Sequence, residues 1–167
     1  MSLPIKTLDA IVELSIAIEF GRVTNSQWQR WAERMLLVSS PNELSWLVDL
    51  YEADQPRAAL GALANGARRH TSEFTVDVTS LRLGFLYLDW EQGLLSATDL
   101  LHKAGDITDS NYDAPSCETV YQVLNRLESA PTCDNNVTTE INNRLHELFA
   151  VHGTKARMVL EHLENAT

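Results

Sequence analysis

EFGRVTNSQW, residues 19–28, is the stretch on which the fold reading turns. An apolar run closes at Phe20, and Gly21 supplies the residue that best tolerates the left-handed backbone with which helices commonly end. Thr24-Asn25-Ser26-Gln27 then places a hydroxyl and an amide three residues apart, the pattern of a capping box. One helix ends here and another begins. Upstream, from about Pro4 to Phe20, the apolar residues Ile5, Leu8, Ile11, Val12, Leu14, Ile16, Ile18 and Phe20 cover more than one stripe, which predicts a central helix buried on several sides. Downstream, Trp28, Trp31, Ala32 and Met35 recur at one-face spacing up to about Ser39.

The same grammar continues outward. Ser40-Pro41-Asn42-Glu43 reads as a second capping box opening a helix with Leu44, Leu47, Val48 and Tyr51 along one side, and Asp54-Gln55-Pro56 breaks it. Ala58 to Ala67 is alanine-rich and helical in character. Phe74, Val76 and Val78 alternate with Thr75, Asp77 and Thr79, a period-two pattern that a short strand would also produce. Leu81 to Trp90 is apolar nearly all round and predicts a second central helix ending at Gly93. Ser96 to Asp99 caps a helix ending near Gly105, and Val120, Val123, Leu124 and Leu127 mark another that stops before Pro131. Ile141, Leu145, Leu148 and Phe149 form a stripe ending at Gly153, followed by a last helix with Ala156, Val159, Leu160 and Leu163.

These signals predict an all-α, single-domain multi-helix bundle. A weak repeat runs through it: Glu19-Phe20-Gly21-Arg22-Val23-Thr24 and Ala32 match Glu91-Gln92-Gly93-Leu94-Leu95-Ser96 and Ala104 at one constant offset. It suggests two pseudo-repeated lobes, about 1–70 and 71–167. Gly21 and Gly93 are expected at helix ends with positive φ. The tryptophans Trp28, Trp31, Trp46 and Trp90 are expected in the core.

The chain has 167 residues and a formal net charge of -10. That balance argues against nucleic acid and against an anionic membrane surface, since both demand clustered Lys and Arg. No apolar run approaches the roughly 20 residues of a membrane span, and the first twenty residues lack the pattern of a signal peptide. A cytoplasmic protein is expected, with Cys117 and Cys133 as free thiols.

Signatures of chemistry are missing. His70, His102, His146, His152 and His162 include no pair three or four apart, so none is expected to bind zinc and each is expected at the surface or half-buried. His146-Glu147 opens like a metalloprotease helix, yet Ala150 stands where the second histidine belongs. No glycine-rich phosphate loop or nucleophile elbow occurs. Asp109-Ser110-Asn111-Tyr112-Asp113 begins like a calcium loop, but Ala114, Pro115 and Val120 occupy the positions that need glycine and a closing glutamate. Turn formation and capping by Asp113 or Ser116 explain it better. No cofactor and no catalytic residue are predicted.

Charge is uneven. From Ala104 to Asn143 seven carboxylates face one base, Arg126, so this stretch holds -6 of the total -10. Asp106, Asp109, Asp113 and Glu118 are the candidate contacts for a basic protein partner.

Ala17-Ile18-Glu19-Phe20-Gly21-Arg22-Val23-Thr24 with Trp28, Trp31 and Ala32, then Leu86-Tyr87-Leu88 with Gly93, and Cys117-Glu118 with Tyr121, Leu124 and Asn125, give the chain a further aspect. In these it resembles small helical bacterial proteins of unassigned function, some of which are toxin-immunity proteins. The resemblance implies a stoichiometric binding protein that neutralises its partner, and it carries over no functional residue. The competing expectations are an enzyme with a site assembled from dispersed carboxylates and histidines, and a helical adaptor subunit of a larger complex.

Overall fold

The structure, a computed structural model, describes residues 6–70, 73–109, 115–129 and 135–165. Within them the chain is all-α. Its helices are α1 (Lys6–Glu19), α2 (Asn25–Val38), α3 (Leu44–Glu52), α4 (Pro56–Ala67), α5 (Val78–Glu91), α6 (Ala97–Thr108), α7 (Cys117–Glu128) and α8 (Asn135–Asn165), with a 3₁₀ turn at Pro41–Glu43 before α3. No strand occurs among the described residues. Residues 73–77 are an irregular link instead: Thr75 gives its backbone N–H (2.7 Å) and its hydroxyl (2.5 Å) to the Asp9 carboxylate of α1. A side chain thus takes the hydrogen bond that a neighbouring strand would have accepted.

The helices fall into two compact units, divided between Val78 and Thr79 and again between Arg157 and Met158. In the first, Ile11, Leu14 and Ile18 of α1 are buried with Trp28 and Trp31 of α2, Trp46, Leu47 and Leu50 of α3, and Ala59 and Leu63 of α4. The Trp31 and Trp46 rings meet at 6.3 Å, and Trp28 donates its indole N–H to the Ala53 carbonyl at 3.0 Å. In the second, Leu83 to Leu88 of α5 are buried without a break, as the apolar run predicts for a central helix, alongside Leu100 and Leu101 of α6, Val120 and Leu124 of α7, and Leu145 and Phe149 of α8. Trp90 departs from the expectation for its residue type, being half-buried.

Both helix joints carry the expected glycine. Gly21 has φ 65° and Gly93 has φ 71°. Arg22 N–H bonds the Ala17 carbonyl and Gly21 N–H that of Ile18, while Leu94 bonds Asp89 and Gly93 bonds Trp90 in the same pattern. These are the paired bonds of a Schellman ending, which occupy carbonyls the helix cannot satisfy itself. Beyond the joints the likeness fades, for α4 has 12 residues and α8 has 31.

Other boundaries differ from the sequence reading. α6 runs past Gly105 to Thr108, and α8 runs unbroken through Gly153. Those glycines admit neighbours rather than end helices: a Cβ at Gly105 would lie 2.8 Å from the Tyr121 ring, and one at Gly153 would overlap the Tyr87 ring. The Ser40–Glu43 capping box is not formed, since the Ser40 side chain makes no cap bond and the Glu43 carboxylate accepts the Trp46 indole N–H at 2.6 Å. Along α3 the expected stripe divides, with Leu47 buried and Leu44, Val48 and Tyr51 facing solvent.

Candidate functional site

The acidic stretch is assembled by the α6–α7 pair of the second unit. Ser116 caps α7, its hydroxyl accepting the Thr119 N–H at 3.2 Å, and this places Cys117 and Glu118 in the first turn. Tyr121, one turn on, lays its ring against Gly105, so α7 crosses α6 where α6 has no side chain. Asp106 and Asp109, the first and fourth residues after that glycine, are both exposed, and the Asp109 carboxylate lies 3.6 Å from the Cys117 sulfur. Burial, then the charges of Cys117, Asp106 and Asp109, push the Tyr121 phenol above its ordinary range. Both carboxylates therefore act on one exposed tyrosine. Glu118 is exposed on the adjoining face of α7, held by Gln122 at 3.3 Å. Asp113 lies outside the described residues, as do positions 110–114 of the calcium-like stretch and Cys133.

Three of the four candidate carboxylates are thus exposed at one helix pair. The remaining described acids of the stretch are matched: Glu128 lies 3.3 Å from His102 and Glu140 lies 3.4 Å from Arg126. Sequence reasoning missed Tyr121. It enters there only among the residues of the resemblance, and Gly105, which receives its ring, reads as a helix end. Cys117 makes a poor nucleophile, because burial and the Asp109 carboxylate push its thiol up and keep it protonated near neutral pH. Among the described residues no three His, Cys, Asp or Glu side chains gather closely enough to hold a metal ion.

Two polar clusters lie deeper in the same unit. At the first turn of α5 the Ser80 hydroxyl is 2.6 Å from His152 Nδ1 and accepts from Lys155 Nζ at 2.9 Å. Against expectation His152 is buried, 7% exposed, and Ser80 is 2% exposed. A Ser–His–Lys set has the composition of an activated nucleophile, but here the hydroxyl is enclosed. The cluster satisfies polar groups that the close approach of α5 and α8 takes out of water.

The second cluster joins Tyr87, His146 and Trp90. The Tyr87 hydroxyl is 2.6 Å from His146 Nδ1, and the His146 ring stands edge-on to Trp90 at 5.0 Å. Burial, and then the nearby Glu91 carboxylate, which pairs with Arg157, push the Tyr87 phenol up to about 12. An unfolded tyrosine ionises near 10. Raising the pH from about 10 to 12 therefore deprotonates the unfolded chain first and draws the equilibrium toward it. The native protein should lose stability across that window, and Tyr87→Phe should lose less, as read from urea midpoints at stepped alkaline pH. Equal losses in both proteins would mean that this phenol does not couple to folding.

No helix among the described residues is long and apolar enough to cross a membrane. No protein-family model, curated protein or solved structure matches the chain.

Proposed function

We propose that the protein is a non-catalytic binding module that neutralises a basic protein partner, in the manner of an immunity or inhibitor protein, through the α6–α7 surface. The observation that carries this reading is Tyr121, exposed and seated on Gly105, with the charges of Asp106 and Asp109 acting on it. A rigidly seated aromatic side chain beside carboxylates suits a cationic surface, in which arginine and lysine pair with the acids and stack on the ring. An adaptor subunit would use the same surface with another partner. Catalysis from dispersed residues finds its nearest candidate in Ser80 and His152, whose burial speaks against it.

The test replaces Asp106, Asp109 and Glu118 by Asn, Asn and Gln. Exposed charges contribute little to stability, so the fold should persist. Association with a basic protein encoded beside the gene should slow by about tenfold or more at low salt and lose most of its salt dependence, since steering acts on the on-rate. A variant that associates as fast as the native protein at low salt would remove the acidic surface from the mechanism.

A further inference from the structure

Half of the exposed large apolar side chains among the described residues fall within fifteen residues of one another, from Leu37 to Tyr51 in the first unit. Leu37 and Val38, at the end of α2, are 83% and 73% exposed. Leu44, Val48 and Tyr51 follow on α3 at 38%, 40% and 46%. Their spacing of four and then three residues puts the last three on one strip, roughly 60° wide at 100° per residue. The opposite side of α3 is anchored by Trp46, Leu47 and Leu50, all fully buried. The strip is therefore held by a rigid helix, and it is apolar where the core does not require it.

The charge along this stretch of sequence has one sign. From Met35 to Pro56 the sequence holds no lysine or arginine, but it holds Glu43, Asp49, Glu52 and Asp54. Glu43 is turned toward Trp46, leaving Asp49, Glu52 and Asp54 exposed. On the helical projection Glu52 lies beside the strip, about 40° from Val48, and Asp49 lies about 60° further round, between Glu52 and the buried Trp46. One cation reaches the N-terminal end of α3: Arg69, which donates to the Asn42 carbonyl and to the Ser45 hydroxyl at 2.7 Å.

We propose that the α3 face is a second docking surface, and that its occupant is an amphipathic helix of a protein partner with lysine or arginine flanking its apolar stripe. Anchors at four- and three-residue spacing match the period of a bound helix. Basic flanks meet Asp49, Glu52 and Asp54, and a second copy of this chain would bring another net charge of -10. The inference stands independently of the α6–α7 surface.

The test titrates the full-length protein with two fluorescein-labelled synthetic helical peptides of equal leucine content. Each is about 18 residues long, roughly five turns. One carries lysine on the flanks of its leucine face and the other glutamate. The lysine peptide should bind the native protein, read by anisotropy. Affinity should fall about tenfold or more in the triple variant Leu44→Ser, Val48→Ser, Tyr51→Ser. It should fall, with a weaker salt dependence, in Asp49→Asn, Glu52→Gln, Asp54→Asn. Unchanged circular dichroism of these exposed-site variants keeps the comparison sound, and neutralising Asp106, Asp109 and Glu118 should leave binding as it was. The proposal is overturned by a native protein that ignores the lysine peptide, by equal binding of the glutamate peptide, or by undiminished binding in the serine variant. Loss of binding on neutralising the α6–α7 acids also overturns it, by placing the peptide on the other surface. A native dimer in sedimentation that the serine variant dissolves would assign the face to a second copy instead.

Discussion

Gly84→Ala should destabilise the second unit by about 3 kcal/mol or more, although a single methyl is added. Helix propensity alone predicts the opposite sign, because alanine is favoured over glycine by about 1 kcal/mol in a helix interior. Space decides against it. A Cβ at Gly84 would overlap the His152 carbonyl oxygen, and it would lie 2.8 Å from the His152 carbonyl carbon and 2.9 Å from Ala156 Cβ. Backbone atoms cannot rotate aside as a flexible side chain can, so α5 and α8 must separate. That strains the buried Ser80–His152 contact and loosens the packing of the α5 core residues. Gly61→Ala is the matched control. Gly61 is exposed within α4 with nothing within 4 Å of the added Cβ, so the propensity gain of up to about 1 kcal/mol should appear there undiminished. Urea midpoints measure both, and amide exchange in α5 and α8 localises the loss. A Gly84→Ala protein at least as stable as the native one would mean that the two helices do not cross at this glycine.

Other glycines mark how far the sequence is legible. Gly21 and Gly93 can be read because everything that fixes them is local: an apolar run before, a hydroxyl cap after, and bonds that reach back no further than five residues. Gly105 and Gly153 carry the same local signal, since a glycine that ends a helix and one that receives an aromatic ring differ only in what arrives from elsewhere, here Tyr121 and Tyr87. The Ser80–His152 pair lies beyond any spacing argument, its members being 72 positions apart. Glu43 shows a local pattern overruled at short range. Its position fits a capping box, yet the indole N–H three residues on is buried and must find an acceptor, and it takes the carboxylate first. The acidic surface was legible as a charge count, and Asp106, Asp109 and Glu118 are exposed accordingly. Tyr121 at its centre depends on Gly105 and was not. Nor was the exposed side of α3, since an apolar stripe reads the same whether it meets a core or the solvent.

Trp46→Ala should cost the first unit about 3 to 5 kcal/mol, the range for removing a large buried aromatic side chain. Trp46 is fully buried, its ring meets Trp31 at 6.3 Å, and the indole lies flush on Gly66, where a Cβ would come within 2.7 Å of it. Alanine leaves a cavity that this close packing cannot fill, and it strips the donor from the Glu43 carboxylate, whose side chain is 12% exposed. Trp46→Phe separates the two losses. Phenylalanine keeps most of the volume but has no N–H, so it should cost about 1 to 3 kcal/mol, the penalty for an unsatisfied buried acceptor. Denaturant midpoints of the two variants rank the causes: a large gap makes the cavity dominant, and equal losses make the Glu43 bond dominant. The outcome reaches the surface as well, because Trp46 anchors the helix that carries Leu44, Val48 and Tyr51. Were Trp46→Ala within about 1 kcal/mol of the native protein, far below the cost expected of a core tryptophan, α3 would not be fixed by this ring. The exposed strip would then lack the rigid geometry that a docked helix requires.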